Sequence, residues 1–121
     1  MAASRPVTHV GIIGCGNISS AYVTGCGMFD HLRVAAVADV MPAVAQAKAA
    51  EHDLACAGSV EALLADPDID IVINLTTPNA HAAVSLAALA AGKHVYSEKP
   101  LAVERADGRA VLDAAAARGL R

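Results

Sequence analysis

Short apolar runs alternate with longer, alanine-rich segments along this chain, and that alternation limits the folds open to it. The apolar runs predict strands at 7–13, 33–38, 54–57, 70–75 and 93–97. The longer segments predict helices at 17–29, 42–52, 79–91 and 104–118, with a short helix after residue 59. The connections are short, and no hairpin signal such as Asn-Gly separates two strands. Successive strands are therefore expected to be parallel, with helical crossovers.

The predicted strands are continuous apolar runs, as expected where helices cover both faces of a parallel sheet. Right-handed crossovers then give the α/β class with a doubly wound parallel sheet. Local signals at the element ends agree with this pattern. Pro42 suits the first turn of a helix, Ser59 is a good N-cap, and Gly92 is a good C-terminal stop. At 121 residues the chain is long enough for one domain, which we expect to span 1–121.

The composition of the chain argues against two kinds of partner. The formal net charge is −3 and only three residues are aromatic, so the chain lacks the basic surface and stacking rings that bind nucleic acid. Hydrophobic residues make up 55% of the chain, but much of that is alanine. No uninterrupted apolar run reaches the roughly 18–20 residues of a membrane-spanning helix. We therefore expect neither nucleic acid nor a membrane as a partner.

The cysteine and histidine residues do not have the spacing of a metal site. Cys15, Cys26 and Cys56 are odd in number and contain no Cys-x-x-Cys pair, and no two histidines lie four residues apart. We expect no bound metal, and we expect buried thiols in a reducing cytoplasm. The N-terminal stretch has one Arg and a short apolar run, unlike a secretory signal.

The first strand is followed by a glycine pattern, Gly14-x-Gly16-x-x-Ser19, where the first helix is expected to begin. Gly14 would permit the tight turn, and Gly16 would let backbone N–H groups approach a pyrophosphate. The third position needs a small residue, and serine departs slightly from the usual glycine or alanine. A pyrophosphate would lie at the positive end of the helix. Taken alone, the pattern also suits a plain structural turn, which remains an alternative.

Asp39 ends the second predicted strand, about 20 residues after the glycine pattern, where an acidic residue accepts hydrogen bonds from the adenosine ribose. Its alternative role is a helix cap ahead of Pro42. The glycine turn, the acidic residue Asp39 and the spacing between them together favour the Rossmann dinucleotide-binding fold. A carboxylate there repels a 2′-phosphate, so NAD is predicted in preference to NADP. Arg33 or Lys48 nearby remains an alternative partner for such a phosphate.

Two further strand ends carry polar residues and a proline, in "NLTTPNAHAA" and "HVYSEKPLA". In a doubly wound sheet, ligands bind beyond the carboxyl ends of the strands. Glu98, Lys99 and Pro100 are therefore expected to project from a strand tip into the binding crevice. This explains why charged residues directly follow a buried strand.

Three stretches together resemble one known family. "TTPNAHAAVSLAALAAGKHVYSEKPLA", with "GIIGCGNIS" and "VAAVADVMP" upstream, is similar to the N-terminal domain of the Gfo/Idh/MocA oxidoreductases, which include glucose–fructose oxidoreductase and inositol dehydrogenase. The resemblance covers nearly the whole chain. The combination of T-P-N-x-x-H, A-G-K-H-V and E-K-P is far more specific than the glycine turn. It implies a domain that binds NAD or NADP.

The resemblance also implies roles for individual residues. Lys99 becomes the catalytic lysine, close to the nicotinamide and the reacting hydroxyl. An ammonium there would orient the substrate and stabilise developing alkoxide charge during hydride transfer, and Pro100 would stiffen its turn. The implied cofactor contacts are Gly14, Gly16, Asn17, Ile18, Asp39, Thr77, Pro78, Asn79, His81, Glu98, Lys99 and Pro100.

Simpler interpretations of several of these residues remain open at this point. Lys99 could be a solvated lysine paired with Glu98, an arrangement that contributes little to stability. His81 suits a helix first-turn residue with a local partner better than a proton carrier. Tyr22 and Tyr96 are assigned to packing. A cis bond between Lys99 and Pro100 is compatible with the sequence but not readable from it.

The resemblance implies a second α/β domain that this chain does not contain. In the family that domain supplies the substrate pocket, usually with an Asp and a His that act with the lysine. We therefore expect the chain to be the N-terminal part of a longer enzyme, inactive by itself and homo-oligomeric at full length. The expected reaction is hydride transfer to or from a sugar, polyol or related alcohol. A non-catalytic dinucleotide-binding module and an NAD-dependent glycoside hydrolase are the alternatives.

Overall fold

Strands and helices alternate throughout the part of the chain that the computed structural model describes, residues 6–121. The strands are β1 (Thr8–Ile13), β2 (Leu32–Ala38), β3 (Ala57–Gly58), β4 (Ile71–Asn74) and β5 (His94–Ser97). The helices are α1 (Ser19–Gly27), α2 (Pro42–Glu51), α3 (Val60–Ala65), α4 (Pro78–Ala90) and α5 (Arg105–Ala117). The strands form one parallel sheet in the order β3-β2-β1-β4-β5. The predicted doubly wound parallel sheet is confirmed.

Three predicted boundaries were wrong by two or more residues, for local reasons. Helix α1 begins at Ser19 and not at residue 17, because residues 16–18 form a turn in which the Ser19 amide bonds the Gly16 carbonyl at 3.1 Å. Helix α1 ends at Gly27 and not at residue 29, because the Met28 amide bonds the Gly25 carbonyl at 3.1 Å in a tighter turn. The third strand begins at Ala57 and not at residue 54. Asp53 has a φ of 55°, and the Leu54 amide donates to the Ala49 carbonyl at 2.8 Å. Residues 53–54 thus close the end of α2, in a left-handed capping turn.

Each face of the sheet has its own apolar core. Helices α1 and α2 cover one face, where Val10, Ile12 and Val37 are buried. Helices α3 and α4 cover the other face, and α5 packs beside α4. Gly11 in β1 permits the approach of α3, because an added Cβ would lie 2.8 Å from the Leu63 Cδ2 atom. The Ser59 side chain accepts the Ala62 amide at 3.1 Å, which confirms the predicted N-cap of α3.

The α1–α2 face leaves part of the sheet uncovered. Strands β4 and β5 have no helix on this side within the described chain, and a groove of about 450 Å³ runs between them and α1. Its walls are almost wholly apolar, with Phe29 53% and Tyr96 59% exposed. Beyond the groove, the Val95 amide donates to the Arg121 carbonyl at 2.9 Å, along the outer edge of β5. Within residues 6–121, no helix is both long and apolar enough to cross a membrane.

Candidate functional site

Four parallel strands end at the same edge of the sheet. Ile13 of β1 pairs with Ala38 of β2 and with Asn74 of β4, which pairs in turn with Ser97 of β5. The residue after each strand end, namely Gly14, Asp39, Leu75 and Glu98, therefore lies in register at that edge. A cavity of about 300 Å³ opens there, lined by Gly14, Gly16, Asp39, Val40, Thr76 and Thr77 among others. The sheet thus brings the glycine turn and Asp39 together, with the β4–α4 loop beside them.

The two glycines of the turn have different structural roles. Gly14 has a φ of 101°, and a Cβ at that position would lie 2.6 Å from the Leu75 carbonyl carbon and oxygen. Only glycine fits this conformation and this contact. A Cβ on Gly16 would meet no heavy atom within 4 Å. Gly14 therefore packs the turn against the β4–α4 loop, whereas Gly16 faces open space.

Ser19 occupies the third position of the glycine pattern, where the sequence departs from glycine or alanine. Its side chain is fully buried, and its hydroxyl donates to the Gly16 carbonyl at 2.6 Å. The departure is accommodated because the hydroxyl has a partner within the turn. Asn17 and Ile18 lie between them and are exposed at the start of α1.

Asp39 holds the glycine turn in place. Its Oδ2 atom accepts the Cys15 amide and its Oδ1 atom accepts the Met41 amide, each at 2.9 Å. Met41, and not Asp39, occupies the N-cap position of α2. An ionised carboxylate has about four acceptor sites, so two of them remain for a ligand in the cavity. Burial and the Asp39 charge raise the pKa of the Cys15 thiol to about 11, which keeps that thiol neutral.

Lys48 and Arg33, the cations considered above as alternative partners of a 2′-phosphate, lie in different places. The Lys48 ammonium donates to the Ser20 hydroxyl at 2.8 Å and to the Glu51 carboxylate at 3.0 Å, and its side chain is only 12% exposed. Arg33 is the second residue of β2, at the opposite end of that strand from Asp39. At about 3.3 Å per residue, roughly 20 Å separate the two backbones.

Asn74 organises the loop between β4 and α4, a role that the sequence did not predict. Its buried side chain donates to the His81 carbonyl and to the Ser85 hydroxyl, both at 2.9 Å. Its Oδ1 atom accepts the Thr76 amide at 3.2 Å and the Thr76 hydroxyl at 2.6 Å. All the hydrogen-bonding capacity of this amide is used by the loop and by helix α4. Because these partners depend on tertiary packing, no local pattern identifies them.

Helix α4 begins at the crevice with three exposed residues. Thr77 is its N-cap without a side-chain hydrogen bond, Pro78 is at the first helical position, and Asn79 follows. His81, one turn on, differs from them because it is only 2% exposed. Its Nδ1 and Nε2 atoms lie 2.5 Å from the Pro100 carbonyl oxygen and 2.7 Å from the Thr76 carbonyl oxygen. Both ring nitrogens thus contact the protein backbone, and neither is open to the crevice.

The Glu98-Lys99-Pro100 turn follows β5 at the same edge of the sheet. The Glu98 amide bonds the Asn74 carbonyl at 3.2 Å, and the peptide bond between Lys99 and Pro100 is cis. Lys99 is exposed, and among the ion pairs between described residues none joins it to Glu98. A surface ion pair therefore does not account for this lysine. No group of three potential metal ligands occurs among residues 6–121.

Tyr22 of α1 binds Glu98, which the sequence did not predict. Its hydroxyl donates to the Glu98 Oε1 atom, and its ring packs edge-on against Tyr96 at a centroid distance of 6.2 Å. The hydrogen bond to Glu98 raises the pKa of Tyr22 to about 12. The same bond is the main cause that lowers the pKa of Glu98. Assignment of Tyr22 to packing alone was therefore incomplete.

Replacement of Tyr22 by phenylalanine is expected to release the Glu98 carboxylate and raise its pKa. The pKa of Glu98 is lower in the folded protein than in the unfolded chain, because the Tyr22 hydroxyl bonds the ionised carboxylate. This bond therefore stabilises the fold at pH values above the Glu98 pKa of the unfolded chain. The stabilisation is lost as the pH falls through the Glu98 pKa of the folded protein. The wild type should thus be slightly more stable than Tyr22→Phe near neutral pH. Urea unfolding of both proteins from pH 3 to 8 checks this. A stability difference that persists undiminished at the acid end would contradict it.

The Gfo/Idh/MocA family model, described as an oxidoreductase family with an NAD-binding Rossmann fold, matches residues 8–121. The chain belongs to the Gfo/Idh/MocA family. Its described part is the NAD-binding Rossmann domain of that family, as the sequence motifs implied. The glycine turn, Asp39 and the Glu98-Lys99-Pro100 turn all lie within the matched range.

Relatives within the Gfo/Idh/MocA family are much longer than this chain. Inositol 2-dehydrogenase of Salmonella typhimurium is 35% identical over 114 residues, which cover 92% of this chain and 34% of the relative. A 3-ketoreductase from Actinomadura kijaniata, solved with NADP and TDP-benzene, superposes with a TM-score of 0.87 at 30% identity, over 96% of this chain and 36% of that one. The WlbA dehydrogenase from Bordetella pertussis, solved with NADH and UDP-GlcNAcA, superposes with a TM-score of 0.89 at 28% identity, over 97% of this chain and 36% of the dehydrogenase. The chain thus spans about a third of the length of each relative. Of the two solved structures, one contains NADP and the other contains NADH.

Proposed function

We propose that the protein containing this chain is an NAD-dependent oxidoreductase that transfers hydride between the nicotinamide and a hydroxyl-bearing carbon of a sugar, polyol or related alcohol. The observation that carries the proposal is the position of Lys99. Lys99 is exposed, forms no ion pair with a carboxylate among residues 6–121, and follows β5 at the sheet edge where the glycine turn and Asp39 also lie. The names of the related dehydrogenase and reductase support hydride transfer over glycoside cleavage.

The glycine turn and the start of α1 would hold the pyrophosphate. Gly16 leaves space in front of the backbone, and α1 presents its positive end there. Asn17 and Ile18 are exposed beside that space. Thr77, Pro78 and Asn79 at the start of α4 would line the opposite wall of the crevice. The bound cofactor would supply the hydride acceptor or donor.

Lys99 would act on the reacting hydroxyl. Its ammonium would orient the hydroxyl and stabilise the alkoxide charge that develops as the hydride leaves. The Glu98 carboxylate is held by Tyr22 and by the Lys99 amide, the latter at 3.2 Å. Glu98 would therefore fix the turn that carries the lysine, leaving the ammonium available to the substrate.

We also propose that the cofactor is NAD in preference to NADP. The Asp39 carboxylate lines the cavity where a ribose would lie, and its charge would repel a 2′-phosphate. Lys48 is bound to Ser20 and Glu51, and Arg33 lies at the far end of β2, so neither supplies a free cation beside Asp39. These contacts support NAD.

Replacement of Asp39 by alanine is expected to weaken NAD binding about tenfold to a hundredfold, since a charge-assisted hydrogen bond contributes roughly 1.5–3 kcal/mol. Calorimetric titration with NAD and with NADP measures both affinities. The ratio of the two is the decisive readout, because a disturbed glycine turn would weaken both cofactors alike. Asp39→Asn is the matched variant, since it keeps one acceptor for the turn but removes the charge. An unchanged ratio in both variants would contradict the assignment.

The remaining features of the whole protein are inferred from its relatives. We propose a second domain that supplies the substrate pocket, because the chain spans about a third of the length of its relatives. A homo-oligomer and a cytoplasmic location are further parts of the proposal, the latter supported by three unpaired cysteines. The test is NADH formation by the native full-length protein with a panel of polyols and sugars. Reduction of NAD by none of them would overturn the proposed reaction.

A further inference from the structure

The ring of His81 lies between two carbonyl oxygens from different loops. Its Nδ1 atom is 2.5 Å from the Pro100 oxygen, and its Nε2 atom is 2.7 Å from the Thr76 oxygen. A neutral imidazole has one N–H donor and one lone pair. In either neutral tautomer, one nitrogen lone pair would therefore face a carbonyl oxygen at close range. Rotating the ring by 180° would instead place ring carbons against both oxygens. Only a ring with a proton on each nitrogen satisfies both contacts.

We propose that His81 is an imidazolium that clamps the Glu98-Lys99-Pro100 turn to the β4–α4 loop and thereby positions Lys99. The proposal rests on the function proposed above for the site. Pro100 directly follows Lys99, so fixing its carbonyl limits the movement of the lysine backbone. Because its ring is buried and both nitrogens contact backbone oxygens, His81 acts in this proposal through the turn and not as the direct cofactor contact that the resemblance implied. It is a positioning residue.

The clamp has a rigid base. The buried Asn74 side chain donates to the His81 carbonyl at 2.9 Å and also holds Thr76 through its amide and hydroxyl. The Asn74 carbonyl accepts the Glu98 amide at 3.2 Å. Asn74 therefore contacts both sides of the clamp, the β4–α4 loop through its side chain and the Glu98 turn through its backbone carbonyl.

The protonation of His81 is directly measurable in the purified full chain. With ¹⁵N-labelled histidine, one-bond ¹⁵N–¹H couplings at neutral pH should show a proton on both Nδ1 and Nε2 of this residue. The signals are assigned by exclusion, using single glutamine variants of His9, His31, His52 and His94, so no His81 variant is needed. A single protonated nitrogen would overturn the imidazolium.

The positioning role is tested by comparing two ligands. ADP-ribose has the adenosine, pyrophosphate and second ribose of NADH but lacks the nicotinamide, which is the part expected near Lys99. His81→Gln should weaken NADH binding about tenfold and change ADP-ribose binding less than about twofold. His31→Gln, in the loop before β2, is the matched control and should change neither affinity.

Each outcome decides the proposal. A selective loss for NADH supports it, whereas equal losses for both ligands, or no loss, overturn the positioning role. If His81→Gln does not fold, Asn74→Asp removes the amide that anchors the clamp, and the same selective loss is expected. If the wild type binds neither ligand, the proposed function fails and the positioning role fails with it. The protonation measurement still decides whether the clamp exists.

Discussion

Replacement of Lys99 by alanine is expected to lower the rate of hydride transfer by about two to four orders of magnitude in the full-length enzyme. The side chain is exposed at the end of β5 and has no carboxylate partner among the described residues. Its ammonium is therefore available to the reacting oxygen, where alanine provides nothing. Cofactor affinity should fall by no more than about tenfold, because binding is assigned mainly to the glycine turn and Asp39.

Steady-state kinetics with the identified substrate, together with NAD titration, measures both effects. Arg109→Ala removes an exposed cation on α5 and is the matched control, expected to leave activity unchanged. Lys99→Arg keeps the charge but cannot give up a proton. Recovery of most of the activity by arginine would assign the effect to electrostatics, and no recovery would indicate proton transfer. A Lys99→Ala enzyme within tenfold of wild-type activity would exclude Lys99 as the catalytic lysine.

Replacement of Gly14 by alanine is expected to destabilise the fold by about 3 kcal/mol, or about 10 °C in melting temperature. Gly14 has a φ of 101°, and the new methyl group would lie 2.6 Å from the backbone carbonyl of Leu75. Since the obstacle is backbone, no side-chain rotation relieves the contact. The β1–α1 turn or the β4–α4 loop must shift, and both line the cofactor cavity.

Gly16→Ala is the matched control for this prediction. A methyl group there meets no heavy atom within 4 Å, so the protein should unfold at the wild-type temperature. The methyl group would occupy the space assigned to the pyrophosphate, and NAD binding should weaken about tenfold or more. Thermal unfolding and calorimetric titration of the two variants separate stability from binding. Equal stability of Gly14→Ala and the wild type would contradict the packing role of Gly14.

The sequence predicted features that depend on local chemistry or on the repeat of strands and helices. Parallel strands follow from the alternation itself, and the Ser59 cap from a side chain that reaches a nearby amide. The boundaries of α1 and β3 were wrong because the residues between elements adopt turns. Asp53, for example, takes a left-handed conformation that ends α2 and delays the next strand.

The supporting contacts of the site were beyond sequence reasoning because they form only when the strands, helices and loops pack together. Tyr22 and Glu98 are 76 positions apart, and they meet only once α1 packs beside the tip of β5. The sequence predicts Asn74 only as a polar residue at the end of a strand, and no neighbouring residue indicates that its side chain holds the β4–α4 loop. Lys93 is another such case, since its buried ammonium donates to the Asp66 and Ile69 carbonyls at 2.6 Å and 2.9 Å. The motifs contain exposed residues such as Lys99 and also two buried residues, His81 and Lys93, but they do not reveal what the buried residues contact.

The two hydrogen bonds of Asp39 restrict how the proposed preference for NAD could be changed by mutation. Each carboxylate oxygen already accepts a backbone amide, one from the glycine turn and one from the start of α2. A mutation that exchanges this acid for a small or basic residue would leave the Cys15 amide without its acceptor. Laboratory evolution toward NADP would therefore be expected to acquire a substitute acceptor for that amide first, and only then to lose the acid.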